Sequence, residues 1–122
     1  MKVLIVDDST AARFIIRRIV EELGHEVLEA KDGIEALQQL RANNTIELAL
    51  VDWNMPEKNG LEVVVEMKED PTLKDVKIMM VTTETEMMQV VRAIEAGANE
   101  YLMKPFSKEM LLDKLQLLGY ET

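Results

Sequence analysis

At 122 residues the chain is long enough for one domain with a real core, and 48% hydrophobic against 30% charged residues is the balance of a folded domain. The formal net charge of −9 weighs against a nucleic-acid binder, and the absence of cysteine excludes disulfides and thiolate metal sites. No apolar run approaches ~18 residues and "MKVLIVDD" lacks a signal-peptide core, so a single cytosolic domain over 1–122, with neither nucleic acid nor membrane as partner, is expected.

Apolar runs and helical stripes alternate along the chain. "KVLIVD" (2–7) reads as a first strand ending in acid. Residues 9–24 read as a helix with Ala12, Ile15, Ile16, Ile19, Val20 and Leu23 on one face, Ser9 or Asp8 as N-cap and Gly24 as stop. "EVLEA" (26–30) is a second strand, and 33–42 a helix with Ile34, Leu37 and Leu40 inward. "IELALVD" (46–52) is the third strand and 60–69 the third helix, despite its three valines. "VKIMMVT" (76–82) is the fourth strand, and 84–98 a helix with Met87, Val90, Val91 and Ile94 on one stripe. "EYLM" (100–103) and 107–118 close the series.

Five βα units predict an α/β fold, a doubly wound, flavodoxin-like (βα)5 with a five-stranded parallel sheet and helices on both faces. Near-continuous apolar strands suit a sheet covered on both sides. Right-handed crossovers leave few strand orders. The order 2-1-3-4-5 is taken over from known flavodoxin-like sheets rather than derived from these strands.

Ligands of such sheets bind beyond the carboxyl ends of the strands. There the sequence puts Asp7 and Asp8, Asp52, Thr82 and Thr83, and Lys104. Any one acid could be only a helix cap. Three together need compensation, because two carboxylates ~4 Å apart repel by about 1 kcal/mol in water and about 4 at an effective dielectric of 20. Either one carboxyl is protonated or a divalent cation sits among them, and hard oxygen ligands favour Mg²⁺. Carboxylate, Mg²⁺, hydroxyl and lysine suit phosphoryl transfer, with an acid oxygen as nucleophile. No Gly-rich loop follows the first strand to cradle a nucleotide.

"LIVDDS", "LVDWNMPEKNGLE", "MMVTTE" and "AGANEYLMKPF" resemble the receiver domain of bacterial response regulators over essentially the whole chain, and most of all the single-domain chemotaxis regulators. The resemblance implies that Asp52 accepts a phosphoryl group from a sensor histidine kinase. Asp8, Asp52 and the backbone carbonyl of Asn54 would hold Mg²⁺, with Asp7 acting largely through water. Thr82 and Lys104 would contact the phosphoryl group, and the Lys104–Pro105 bond would be cis. Tyr101 would switch rotamer with Thr82, coupling the pocket to a face of the fourth helix, fifth strand and fifth helix that includes Val90, Ala98, Tyr101, Met103 and Lys114. A downstream effector, such as a flagellar motor or another output protein, would read that face, which could also pair two phosphorylated copies of an otherwise monomeric protein. Asn54 and Glu84 would tune autodephosphorylation. Lys58 in the "MPEKNG" loop, and the small Ser9 and Ala12, depart from the usual pattern.

Other features are weighed beside this. Met79, Met80 and Met103 are expected in the core, and one of Met87 and Met88 on the surface. Met110, Leu111, Leu112, Leu115, Leu117 and Leu118 form a stripe too broad for one face, read as deeper burial ahead of a docking patch. His25, after Gly24, is expected at the surface, and Trp53 half-exposed at the pocket rim. A receiver domain excised from a larger regulator is the alternative reading; an aspartate-nucleophile phosphatase of the haloacid dehalogenase type is a more distant one, because its general acid two residues on would be Asn54 here. A flavin mononucleotide binder shares the architecture, but the acid cluster would repel its phosphate.

Overall fold

Strand residues of this chain alternate between two separate cores, which is the period-two signature of a sheet buried on both faces. The computed structural model describes residues 1–55, 58–83 and 87–120. Its strands are β1 (Lys2–Val6), β2 (Glu26–Ala30), β3 (Ile46–Asp52), β4 (Lys77–Thr82) and β5 (Glu100–Met103), all parallel, in the order β2-β1-β3-β4-β5. The helices are α1 (Thr10–Glu22), α2 (Gly33–Ala42), α3 (Gly60–Glu69), α4 (Met87–Ala96) and α5 (Lys108–Leu117). A 3-10 turn at Pro71–Leu73, which the sequence pattern did not signal, precedes β4.

On one face Leu4, Val6, Ala49, Val51, Ile78 and Met80 pack against α2, α3 and α4. On the other, Val3, Ile5, Leu48, Leu50, Met79 and Val81 meet Ile16 and Val20 of α1 and Leu111 and Leu115 of α5. Each fully buried aliphatic side chain stabilises the fold by about 1.5–3 kcal/mol. Ser9, not Asp8, caps α1, its hydroxyl accepting from the Ala12 N–H at 3.1 Å. Asn59 and Glu62 form a reciprocal capping box at the start of α3. Gly24 ends the α1 turn at φ +91°, a left-handed conformation that favours glycine.

Several inward assignments are corrected by the burial. Ile15 is 60% exposed and Ile34 46%. Val91 and Ile94 are also exposed, leaving Val90 and Ala93 as the buried stripe of α4. The cause is shared: a helix lying on a sheet buries a narrower stripe than the breadth of its apolar residues. Met110 and Leu117 of α5 are exposed for the same reason, so deeper burial does not absorb that broad stripe. Met79 and Met80 are core residues as expected, whereas Met103 is only half-buried on the edge strand. Met88 is exposed, as expected of one of the adjacent pair; the side chain of Met87 lies outside the described residues. His25 is half-buried rather than at the surface, because Nδ1 packs 3.1 Å from the Met1 ammonium.

Candidate phosphoryl-transfer site

Register decides which polar residues meet. Val6 pairs with Val51, and Asp52 with Val81, so the chain leaves β1 at Asp7 level with Asp52. One residue beyond Val81, Thr82 pairs with Met103, and Lys104 follows. Asp7, Asp52 and Thr82 are buried at 1%, 8% and 0% exposure, while Asp8 is exposed. Asp7, Asp8 and Asp52 each offer a carboxylate oxygen, all within 4.8 Å of one another.

Asp7 is held on every side. Its N–H donates to the Ala30 carbonyl at 3.1 Å, and its Oδ1 accepts from the Ser9 N–H at 2.9 Å. Its Oδ2 accepts from Lys104 Nζ at 2.9 Å, and the same ammonium lies 3.5 Å from Asp52 Oδ1. Burial pulls the Lys104 ammonium toward a lower pKa. The hydrogen bond it donates to Asp7 and the charges of Asp52 and Asp7 outweigh it, so the net direction is upward and the cation is secure at neutral pH. The Lys104 N–H donates to the Thr82 carbonyl at 2.6 Å, and the following peptide bond to Pro105 is cis, as expected. The Thr82 hydroxyl donates to the Thr83 carbonyl at 3.3 Å.

Three carboxylates against one lysine leave an excess of negative charge. The donor set is all oxygen, few in number and open on the Asp8 side, which fits a hard divalent cation that keeps some of its waters. Asn54 is exposed, and Trp53 is half-buried and packed against the core of the α2, α3 and α4 face. Glu84 lies outside the described residues. Lys58 forms an ion pair with Glu66 of α3.

With this geometry in view, the comparisons with known proteins decide the family. Residues 3–116 match the response regulator receiver domain. The chain belongs to the response-regulator receiver family. It is 44% identical to the chemotaxis protein CheY1 of Helicobacter pylori, over 97% of this chain and 96% of that one. A CheY homolog of Campylobacter jejuni is also 44% identical, over 95% and 90%. Among solved structures, the chemotaxis response regulator CheY4 of Vibrio cholerae superposes with a TM-score of 0.87 at 36% identity, covering 96% of this chain and 97% of that one. The receiver fold is thus of the CheY type, a signalling domain rather than an enzyme of the usual kind.

The remaining expected site residues are placed less uniformly. Tyr101 is half-buried on β5, with the Lys114 ammonium 4.2 Å from its ring centre. Lys114 also pairs with Glu100 at 2.9 Å. Val90 and Ala98, expected on the partner face, are largely buried at 5% and 6% exposure: Val90 belongs to the inward stripe of α4, and Ala98 packs into the core just after it. The exposed apolar residues of α4 are instead Met88, Val91 and Ile94.

Sequence reasoning missed Arg13, whose Nη1 donates to the Asp7 carbonyl at 2.6 Å. The signal was present. Arg13 lies three residues before buried Ile16 and seven before buried Val20, so a charge sits on the inward stripe of α1. Among the described residues no helix is long and apolar enough to cross a membrane.

Proposed function

We propose that this receiver domain, spanning residues 1–122, is a phosphoacceptor that takes a phosphoryl group onto Asp52 from a phosphohistidine on a sensor histidine kinase. In the transfer an Asp52 carboxylate oxygen attacks phosphorus, the P–N bond breaks and the imidazole leaves with its electron pair. The observation that carries the reading is one ammonium, Lys104 Nζ, reaching two buried carboxylates at 2.9 and 3.5 Å within a three-acid cluster. A carboxylate nucleophile beside a fixed cation is the arrangement phosphoryl transfer needs.

Asp8, Asp52 and the Asn54 carbonyl would hold Mg²⁺, with Asp7 acting largely through water. When bound, the ion supplies the positive charge that neutralises phosphoryl oxygens in a cleft otherwise too acidic to admit them. Lys104 exchanges part of its pairing with the acids for the phosphoryl oxygens, and the Thr82 hydroxyl donates to one of them. Asn54 and Glu84 set how readily water reaches the phosphoryl group, and so how fast the signal resets.

The output is a population shift in which Thr82 and Tyr101 respond to the phosphoryl group. The face that changes comprises the exposed side of α4, with Tyr101, Met103 and Lys114. By analogy with the chemotaxis proteins named above, the reader is a cytoplasmic effector such as a flagellar motor component. The same face would pair phosphorylated copies of an otherwise monomeric protein.

Incubation with Mg²⁺ and acetyl phosphate, followed by intact-mass measurement, tests the chemistry. The parent chain should gain a labile phosphoryl adduct and Asp52→Ala should gain none. An adduct that persists on the variant would place the acceptor elsewhere.

A further inference from the structure

The peptide that joins the two acids Asp7 and Asp8 is held from outside the cluster. Its carbonyl, that of Asp7, accepts from Arg13 Nη1 at 2.6 Å. The guanidinium is itself fixed: Nε donates to Glu29 Oε1 at 3.0 Å and Nη2 to Thr10 Oγ1 at 3.3 Å. The other oxygen of Glu29 accepts from Arg17 Nη1 at 2.7 Å. The Arg13 side chain is only 15% exposed, so a long cation is packed between α1 and β2 with its planar fork pointed at one backbone oxygen.

We infer that Arg13, held by Glu29, is a positioning residue for the metal site: it fixes the Asp7–Asp8 peptide plane and thereby the direction in which Asp8 presents its carboxylate. The inference rests on the metal-binding reading proposed above. Asp8 needs such support more than its neighbours. Asp7 is tied through Lys104, Ser9 and Ala30, and Asp52 ends a central strand. Among the described residues the exposed Asp8 carboxylate accepts no hydrogen bond, so its backbone is what orients it. A second effect opposes the first. Arg13 is a cation near the site, so removing it would by charge alone tighten divalent binding. The sign of the change therefore separates positioning from counter-charge.

The two metals separate positioning from general loosening. Mg²⁺ demands near-octahedral geometry, whereas Ca²⁺ tolerates irregular ligands. Titration of the full chain with each metal, followed by Trp53 fluorescence and with a thermal melt of each variant, gives the readout. Arg13→Met should raise the apparent Mg²⁺ Kd by about tenfold, the scale on which outer-shell partners act. The Ca²⁺ Kd should move by about twofold or less. Arg13→Lys should behave like Arg13→Met, because an ammonium cannot serve Glu29 and the carbonyl with a planar fork. Glu29→Gln should show a smaller loss in the same direction, and no further loss when added to Arg13→Met.

Equal losses for both metals, unchanged or tighter Mg²⁺ binding in Arg13→Met, or parent-like binding in Arg13→Lys alone would each overturn the inference. If the parent chain itself shows no Mg²⁺ response, the metal-site reading falls and takes this inference with it. If the parent responds and the variants match it, only this inference falls.

Discussion

At the carboxyl end of the sheet, buried Asp7 and Asp52 are met by a lysine, a serine N–H and a backbone held by arginine. At the amino end, the half-buried His25 receives a hydrogen bond on Nδ1 from the Met1 ammonium, while its Nε2 is buried with no partner among the described residues. Burial lowers the His25 pKa, the nearby ammonium lowers it further, and the Glu47 carboxylate offsets part of this. One end keeps its polar groups by supplying counter-charges; the other disfavours the charged form. The first solution leaves unbalanced negative charge that a ligand can use. The second leaves nothing for a ligand and only a pH dependence. That difference supports the carboxyl end as the place of the chemistry proposed above.

The contrast is broken most strongly at Gly60, which lets α3 begin against the end of β3. A Cβ there would stand 2.7 Å from Met80 Cε, 2.9 Å from the Asp52 carbonyl oxygen and 3.0 Å from Trp53 Cα. Methionine can move aside, but the two backbone atoms cannot. Gly60→Ala is expected to lower the unfolding free energy by about 1–3 kcal/mol, the usual cost of overpacking. It should also shift Trp53 emission in the folded protein. A urea midpoint and an emission maximum both equal to the parent's would show that the approach is looser than these distances.

A smaller effect of opposite sign is expected at Asp8. Neutralising the exposed Asp8 relieves its repulsion from the buried Asp7 and Asp52, worth about 1 kcal/mol at the dielectric of water that Asp8 meets. Asp8→Asn should therefore be more stable than the parent in metal-free urea denaturation, and, on the proposed metal site, should gain less stability from added Mg²⁺ than the parent does. A variant less stable than the parent without metal would mean that Asp8 is paired rather than repelled. Stability given up for a poised site is common at functional centres.

Much of this was legible in the sequence, for physical reasons that differ by residue. Val3 to Val6 and Leu48 to Val51 read as doubly buried strands because both faces need apolar side chains. Asp7, Asp52, Thr82 and Lys104 were visible because polar residues end those strands, and parallel register brings strand ends together. Ile15 and Ile34 were misjudged because apolar periodicity reports the breadth of a stripe, not how much of it a flat sheet covers. Ile15 instead lines an apolar groove of about 370 Å³ with Ile19 and Phe106, beside Lys104. Val90 and Ala98 depart in the opposite direction, largely buried where the resemblance expects a partner face, because family position does not say which side of the backbone a residue turns outward. Arg13 shows as a charge on the inward stripe of α1, but the sequence does not say what it meets there, because its contact with the site is a backbone oxygen.

The smallest expected effect sharpens the amino-end half of the comparison. The folded chain holds His25 below its usual pKa of 6.5, so on acidification the unfolded state takes up the proton first. The stabilisation from a neutral imidazole is complete above pH 6.5 and is lost as pH falls through the lower folded value. His25→Gln keeps a neutral polar side chain that does not titrate. Its stability should fall less than the parent's across the weakly acidic range, with the two curves parallel above pH 7. Groups that do not touch position 25 act in both proteins alike, so the difference between the curves isolates the imidazole together with its interactions with Met1 and Glu47. Parallel curves throughout would mean that His25 reaches solvent in both states, and that the amino end of the sheet does not disfavour its charged form.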